Sequence, residues 1–73
     1  MTDGPTTTDI EEIMAPWNKH ITVQDVAHED GSMAFLRLRI KEGKRYTDLE
    51  LDPVTAQRLA DLMAAWIAKQ PAG

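Results

Sequence analysis

The chain has 73 residues, a net charge of −4 and no cysteine, which limit it to one small domain without disulfides or thiolate metal sites. Its 42% hydrophobic and 27% charged residues are typical of a folded globular domain. No apolar run reaches the ~20 residues that a membrane span needs. The polar, acidic start of the sequence does not resemble a secretory signal. We therefore expect a cytoplasmic protein that does not bind membranes.

The N-terminal segment is predicted to be a tail followed by a short helix. Residues 1–8 are expected to be flexible because they show no apolar periodicity. Thr8 and Glu11 have the spacing of a capping box. Four apolar residues follow at helical spacing: Ile10, Ile13, Met14 and Trp17. They predict an amphipathic helix over residues 9–16 that ends at Pro16. Because so short a helix is unstable alone, it must dock on its own protein or oligomer, or become ordered on a partner.

Residues 17–70 are predicted to form a β-β-β-α domain, whose first strand covers residues 20–29. The apolar side chains of that strand change faces between Val23 and Val26, so Asp25 stands where an apolar residue is expected. A β-bulge near Gln24 and Asp25, or an edge position for the strand, would explain this charge.

Residues 33–41 and 44–51 are predicted to be the second and third strands, joined by a two-residue loop of Glu42 and Gly43. Alternation in the second strand is strict, with Ala34, Leu36, Leu38 and Ile40 on one face. The loop would pair Leu38 with Thr47 and Arg37 with Asp48. This register keeps the apolar residues of both strands on one face.

The strongest pattern in the sequence is a C-terminal helix over residues 51–70. Asp52 suits the N-cap and Pro53 the first helical position. One face carries a broad stripe of mostly apolar residues: Thr55, Ala56, Leu59, Ala60, Leu62, Met63, Trp66 and Ile67. We expect this stripe to form the core against Leu36, Leu38, Ile40, Leu49 and Leu51. The predicted fold is therefore α+β: a three-stranded antiparallel meander packed against one long helix.

The second face of the predicted sheet has no obvious cover except water, the N-terminal segment or another molecule, and this observation motivates the functional hypothesis. Acids dominate residues 1–30 and bases dominate residues 37–45, so the two regions attract each other within or between chains. We expect a non-enzymatic interaction module, either a homodimer or an accessory subunit of a larger bacterial complex. The candidate partner-binding residues are Ile10, Ile13, Met14, Trp17, Val26, Met33, Phe35, Arg37, Arg39 and Tyr46.

Two other functional classes fit the sequence less well. A nucleic-acid-associated regulator would use the basic and aromatic residues Phe35, Arg37, Arg39, Lys41, Lys44, Arg45 and Tyr46. Asp48 and Glu50 would neutralise part of that patch, so a solvated face with cross-strand pairs is the plainer interpretation. For catalysis, His20 and His28 lie roughly 26 Å apart along an extended strand and cannot share a metal. We expect no catalytic residue, cofactor or metal site.

Residues 51–60 read Leu-Asp-Pro-x-Thr-Ala-x-x-Leu-Ala after a β-hairpin and its third strand. This arrangement, over about residues 20–70, resembles small uncharacterised bacterial proteins of the domain-of-unknown-function type. The resemblance concerns the fold and implies no functional residues.

Overall fold

A computed structural model describes residues 6–28 and 33–71. In chain order it contains four strands and one helix: β1 (Thr6–Ala15), β2 (Lys19–Ala27), β3 (Phe35–Glu42), β4 (Arg45–Leu51) and α1 (Pro53–Ala68). Each strand pairs antiparallel with the next, so the sheet order is β1-β2-β3-β4. The predicted α+β class with a C-terminal helix is confirmed, but the sheet has four strands rather than three. No helix in the described part of the chain has the length and hydrophobicity of a membrane span.

The predicted N-terminal helix is wrong, because residues 6–15 form β1. Ile13 pairs with Ile21 and Met14 with His20 across the β1–β2 hairpin. A helix of two turns would have left the backbone groups of β2 without a ladder partner on this side, whereas a strand satisfies them. The strand also takes in residues 6–8 of the predicted tail, and residues 1–5 lie outside the described residues.

Asp25 lies on the same sheet face as Ile21 and Val23, because β2 pairs with β3 from Lys19 to Val26 without a register shift. The register shifts in β1 between Asp9 and Glu11, which pair with Gln24 and Val23, so the β-bulge lies at Ile10 in the partner strand and not within β2. The predicted edge position is also wrong, since β2 lies between β1 and β3. Because Ile10 is an extra residue in β1, odd-numbered residues point to one face of the sheet before the bulge and to the other face after it.

The two hairpin turns use positive φ angles in different ways. In the β1–β2 turn, Trp17 and Asn18 have φ of 61° and 63°. In the β3–β4 turn, Gly43 has φ of 62° and Glu42 pairs with Arg45. The loop is therefore Gly43 and Lys44, one residue later than predicted, because a type II′ turn places glycine at its first central position.

This change moves the β3–β4 register by two residues from the predicted one. Leu38 pairs with Leu49 instead of Thr47, and Arg37 pairs with Glu50 instead of Asp48. Because side chains alternate with a period of two, a shift of two residues keeps every side chain on its predicted face.

The start of α1 is fixed by Asp52. Its side-chain Oδ1 accepts a hydrogen bond of 2.9 Å from the Thr55 N–H, and its carbonyl accepts one of 2.8 Å from Ala56. Hydrogen bonds from the Thr55 side chain and backbone hold the pKa of the Asp52 carboxyl below its ordinary value of 3.8. Pro53 occupies the first turn as predicted.

The helix stripe is not a closed core, contrary to expectation. No residue of α1 is buried, and the helix backbone approaches only β3 and β4. The chain measures 51 × 31 × 16 Å, with a radius of gyration of 14.7 Å; a compact domain of this length would have roughly 11 Å. The buried residues of the described chain are Val26, Leu51 and Gln24.

Candidate interaction surface

We call the sheet surface that faces α1 the inner face, and its opposite the outer face. The inner face is formed by every second residue of each strand, and these residues are cross-strand partners, for example Val23 with Leu38 and Leu38 with Leu49. Its apolar members are Ile13, Ile21, Val23, Leu36, Leu38, Ile40, Leu49 and Leu51. All four strands therefore contribute aliphatic side chains to one continuous surface.

The first half of α1 covers one corner of the inner face. Leu51 is 8% exposed at this corner, immediately before the helix begins. Ala56 and Leu59 are half-buried there. Between the helix and the inner face lies an apolar cleft of about 270 Å³, which reaches from Leu59 and Met63 across to Ile13 on β1. The helix and the sheet thus form the two walls of an open wedge.

The second half of α1 carries apolar side chains that the sheet does not cover. We call Leu62, Met63, Trp66 and Ile67 the open stripe, and each is between 55% and 64% exposed. These four residues line a shallow depression of their own on the helix. Burying such side chains is worth about 1.5–3 kcal/mol each, so their exposure is unfavourable for an isolated chain in water.

The other side of α1 is an ordinary solvated surface. Gln57 donates a hydrogen bond of 2.8 Å to Asp61 one turn later. Val54 is 77% exposed and lies about 180° around the helix from Met63. The open stripe is therefore a property of one helix face, and Val54 provides a comparison on the opposite face.

The outer face of the sheet is largely paired within the chain. Arg37 Nε and Nη2 donate to Glu50 Oε2 at 3.1 and 2.9 Å. The Arg39 guanidinium lies 4.5 Å from the Tyr46 ring centroid, and its Nη1 is 3.9 Å from Asp48 Oδ2. Both arginines thus have cross-strand partners, a carboxylate for Arg37 and mainly an aromatic ring for Arg39, as the plainer interpretation of this face expected.

One end of the outer face is the best-buried part of the chain. Val26 is 2% exposed, and the neighbouring Phe35 ring contacts His28 edge-on with 5.8 Å between ring centroids. Gln24 donates a hydrogen bond of 2.7 Å to Asp9 Oδ1, while its Oε1 has no hydrogen-bond partner in the described residues. This end of the face is already filled by the chain itself.

The β1–β2 turn presents a second exposed apolar group. Trp17 is 86% exposed and has a positive φ that large L-residues rarely adopt. Met14 on the outer face of β1 and Ile10 at the bulge are also exposed. Next to Met14, His20 Nδ1 lies 3.2 Å from Glu12 Oε2. We call Trp17 with Met14 the hairpin tip.

The ten candidate residues from the sequence fall into several separate places. Ile13 belongs to the inner face, Trp17 and Met14 to the hairpin tip, and Ile10 to the bulge. Met33 is exposed beside β3. The outer face holds the remainder: Val26, Phe35, Arg37, Arg39 and Tyr46. The structure does not bring the ten together into one patch.

The sequence pattern placed the open stripe in the core and so missed it as a candidate. Element lengths give no signal for it, because α1 extends about 24 Å at 1.5 Å per residue and the eight-residue β3 extends roughly 26 Å. The periodicity correctly identified an apolar face, but it could not specify which molecule covers that face.

The fold and surface define a small antiparallel sheet with one C-terminal helix whose apolar face is half covered. A family model matches residues 4–69 and is described as a family of unknown function, DUF6967. Since the match spans nearly the whole chain, the protein belongs to this family, and the resemblance to an uncharacterised domain type is confirmed. No curated protein and no solved structure matches the chain significantly.

Proposed function

We propose that this protein is a non-enzymatic interaction module that acts as a homodimer or as an accessory subunit of a larger bacterial complex in the cytoplasm. The observation that carries the proposal is the open stripe beside the partly covered inner face. Monomeric soluble proteins rarely expose a contiguous apolar surface of this kind without a partner for it. The proposal assigns no catalytic, cofactor-binding or metal-binding role.

The hairpin tip supports the accessory role independently of the open stripe. An exposed tryptophan supplies a large contact area and is enriched among the residues that dominate binding energies. At Trp17 the positive φ adds backbone strain, which tends to persist where a residue has a functional role. The tip lies at the far end of the β1–β2 hairpin, so it could contact another protein while the open stripe is occupied.

The proposal is tested by the mass of the protein in solution and by its partners in the cell. Light scattering of the full chain between low and high micromolar concentration should give a mass well above 8.2 kDa. Capture of a tagged copy from the source cells should recover defined proteins, and a Trp17→Ser copy should lose those that dock at the hairpin tip. A strictly monomeric mass together with no specific partner would refute the proposal.

The nucleic-acid alternative receives less support from the geometry. Arg37 and Arg39 already have acidic or aromatic partners on the outer face, and Phe35 contacts His28. Phosphate binding through Lys41, Lys44 and Arg45 would give an affinity that falls steeply with salt. A mobility shift with single-stranded and duplex probes at low salt tests it, and absence of a shift would remove it.

A further inference from the structure

We propose that the occupant of the wedge is the helix of a second copy of this chain. The open stripe of each copy then packs on the inner face of the other, near Ile13 and Ile21. This inference rests on the proposed interaction role and specifies both the partner and the surface. The two α1 helices would lie side by side between the two sheets.

The first argument is the amount of surface that the chain leaves exposed. Its accessible surface is 6047 Å², whereas a compact monomer of 8.2 kDa would expose about 4,500 Å². The excess is therefore roughly 1,500 Å² per chain, and it includes the uncovered inner face and the open stripe. Stable complexes bury about 800 Å² per partner. An interface of that size fits within the excess.

The second argument is that the two walls of the wedge complement each other. The inner face offers aliphatic side chains at Ile13, Ile21 and Val23, which lie across the cleft from α1 of the same chain, and the backbone of α1 approaches only β3 and β4. Of the open stripe, Met63 lines this cleft, while Leu62, Trp66 and Ile67 lie outside it. In a dimer with two-fold symmetry, the open stripe of each copy covers the inner face of the other, so both surfaces are buried at once. A partner of different sequence would have to reproduce both surfaces separately.

The third argument is charge. Glu11 lies two residues from Ile13 on the inner face, while Arg58 and Lys69 lie on the flank of the helix beside the open stripe. In the part of the chain that the structure describes, none of these three side chains forms an ion pair. Packing the helix of one copy over β1 of the other brings these opposite charges to the rim of the interface.

The absence of cysteine from the sequence permits a direct test by site-specific cross-linking. A tagged Ile13→Cys chain is mixed with an untagged Trp66→Cys chain, the mixture is unfolded and refolded, and a short bismaleimide is added. The matched control replaces Trp66→Cys by Val54→Cys, which lies outside the open stripe, about 120° around the helix from position 66 and about 18 Å nearer its start. We expect at least ten-fold more mixed cross-linked product with position 66 than with position 54. Ile67→Cys serves as a second probe if Trp66→Cys does not refold by circular dichroism.

Each outcome decides the inference. Preferential linkage of position 13 to position 66 or 67, together with a dimeric mass, supports the exchanged arrangement. A dimeric mass with equal linkage to both helix faces overturns the exchange but leaves the proposed function standing. A monomeric mass together with specific capture of a different protein also overturns the exchange and leaves the proposed function standing. A monomer with a radius of gyration near 11 Å by X-ray scattering, and no partner, would show that the helix closes on its own sheet; both the inference and the proposed function would then fail.

Discussion

The two faces of the sheet differ in how far a single chain completes them. On the outer face, Arg37 pairs with Glu50 and Arg39 stacks on Tyr46, so the charged and aromatic groups find partners across neighbouring strands. On the inner face, aliphatic residues from all four strands meet a helix that covers only one corner. The face expected to need a partner is largely complete, and the face expected to be the core is open.

This difference follows from the number of structural elements that each kind of interaction needs. A cross-strand pair needs only two side chains on adjacent strands, about 5 Å apart, and the hairpin register provides them. Covering the inner face requires another element laid across all four strands, whereas the backbone of α1 approaches only β3 and β4. This incomplete cover directs the functional interpretation to the inner face and the open stripe.

The largest effect is expected from Trp66→Glu. A charge in the centre of the open stripe would be desolvated in the dimer but solvated in the monomer. We expect the dissociation constant of the dimer to rise at least 30-fold, since buried aromatic anchors are worth about 2 kcal/mol or more. Sedimentation at several concentrations measures this shift.

Val54→Glu is the control for that experiment, because it introduces the same charge on α1 outside the open stripe, about 120° around the helix from Trp66. Its dissociation constant should stay within a factor of three of the unmodified protein. Equal weakening by both substitutions would mean that general destabilisation of the helix, and not the open stripe, controls assembly.

The next effect concerns the corner where the helix joins the sheet. Leu51→Ala removes the side chain that is 8% exposed, and we expect a loss of about 2–4 kcal/mol of unfolding free energy from the cavity and the lost transfer energy. Leu49→Ala on the same strand and face should cost about 1 kcal/mol, because Leu49 is 46% exposed. Urea denaturation at one fixed protein concentration compares them. Similar losses for both would show that the inner face is uniformly covered.

Local chemistry predicted much of the fold correctly. Asp52 and Pro53 fixed the start of α1 because capping depends on residues only a few positions apart. The faces of β3 and β4 were right, even with the register two residues off, because alternation has a period of two. Gly43 was recognised as the positive-φ residue of the turn, but the sequence does not state whether glycine comes first or second in a two-residue loop.

Non-local contacts explain what the sequence could not predict. Ile10, Ile13, Met14 and Trp17 fit a helical spacing, yet β2 offers this segment a complete hydrogen-bond ladder, and tertiary pairing outweighs a weak local pattern. The same limit applies to the open stripe. Periodicity identifies an apolar helix face, while the area available to cover it depends on the whole assembly.

A smaller effect is expected on the outer face. In a double-mutant cycle, Arg37→Ala and Glu50→Ala should show a coupling of about 0.5–1 kcal/mol, because the guanidinium makes two short hydrogen bonds to one carboxylate. Arg39→Ala with Asp48→Ala is the matched cycle, and its coupling should be near zero since that pair is 3.9 Å apart. None of these four substitutions should change the mass of the protein in solution from that of the dimer. A change in mass would show that the outer face also takes part in assembly.

The smallest effect is a pH dependence at the helix start, on the covered corner of the inner face. Because the pKa of Asp52 is lowered in the folded chain by the Thr55 hydrogen bonds, the stabilisation by its charge is fully present above the unfolded pKa. It is lost as the pH falls from about 4 through the lower folded pKa. Asp52→Asn keeps a capping acceptor but carries no charge. The difference in urea midpoint between the unmodified chain and Asp52→Asn should therefore be positive at pH 7 and shrink towards pH 3. Asp52→Ala, which removes the acceptor altogether, should stay below both at pH 7. A difference that is constant with pH would mean that the hydrogen bond and not the charge holds the helix start against the sheet.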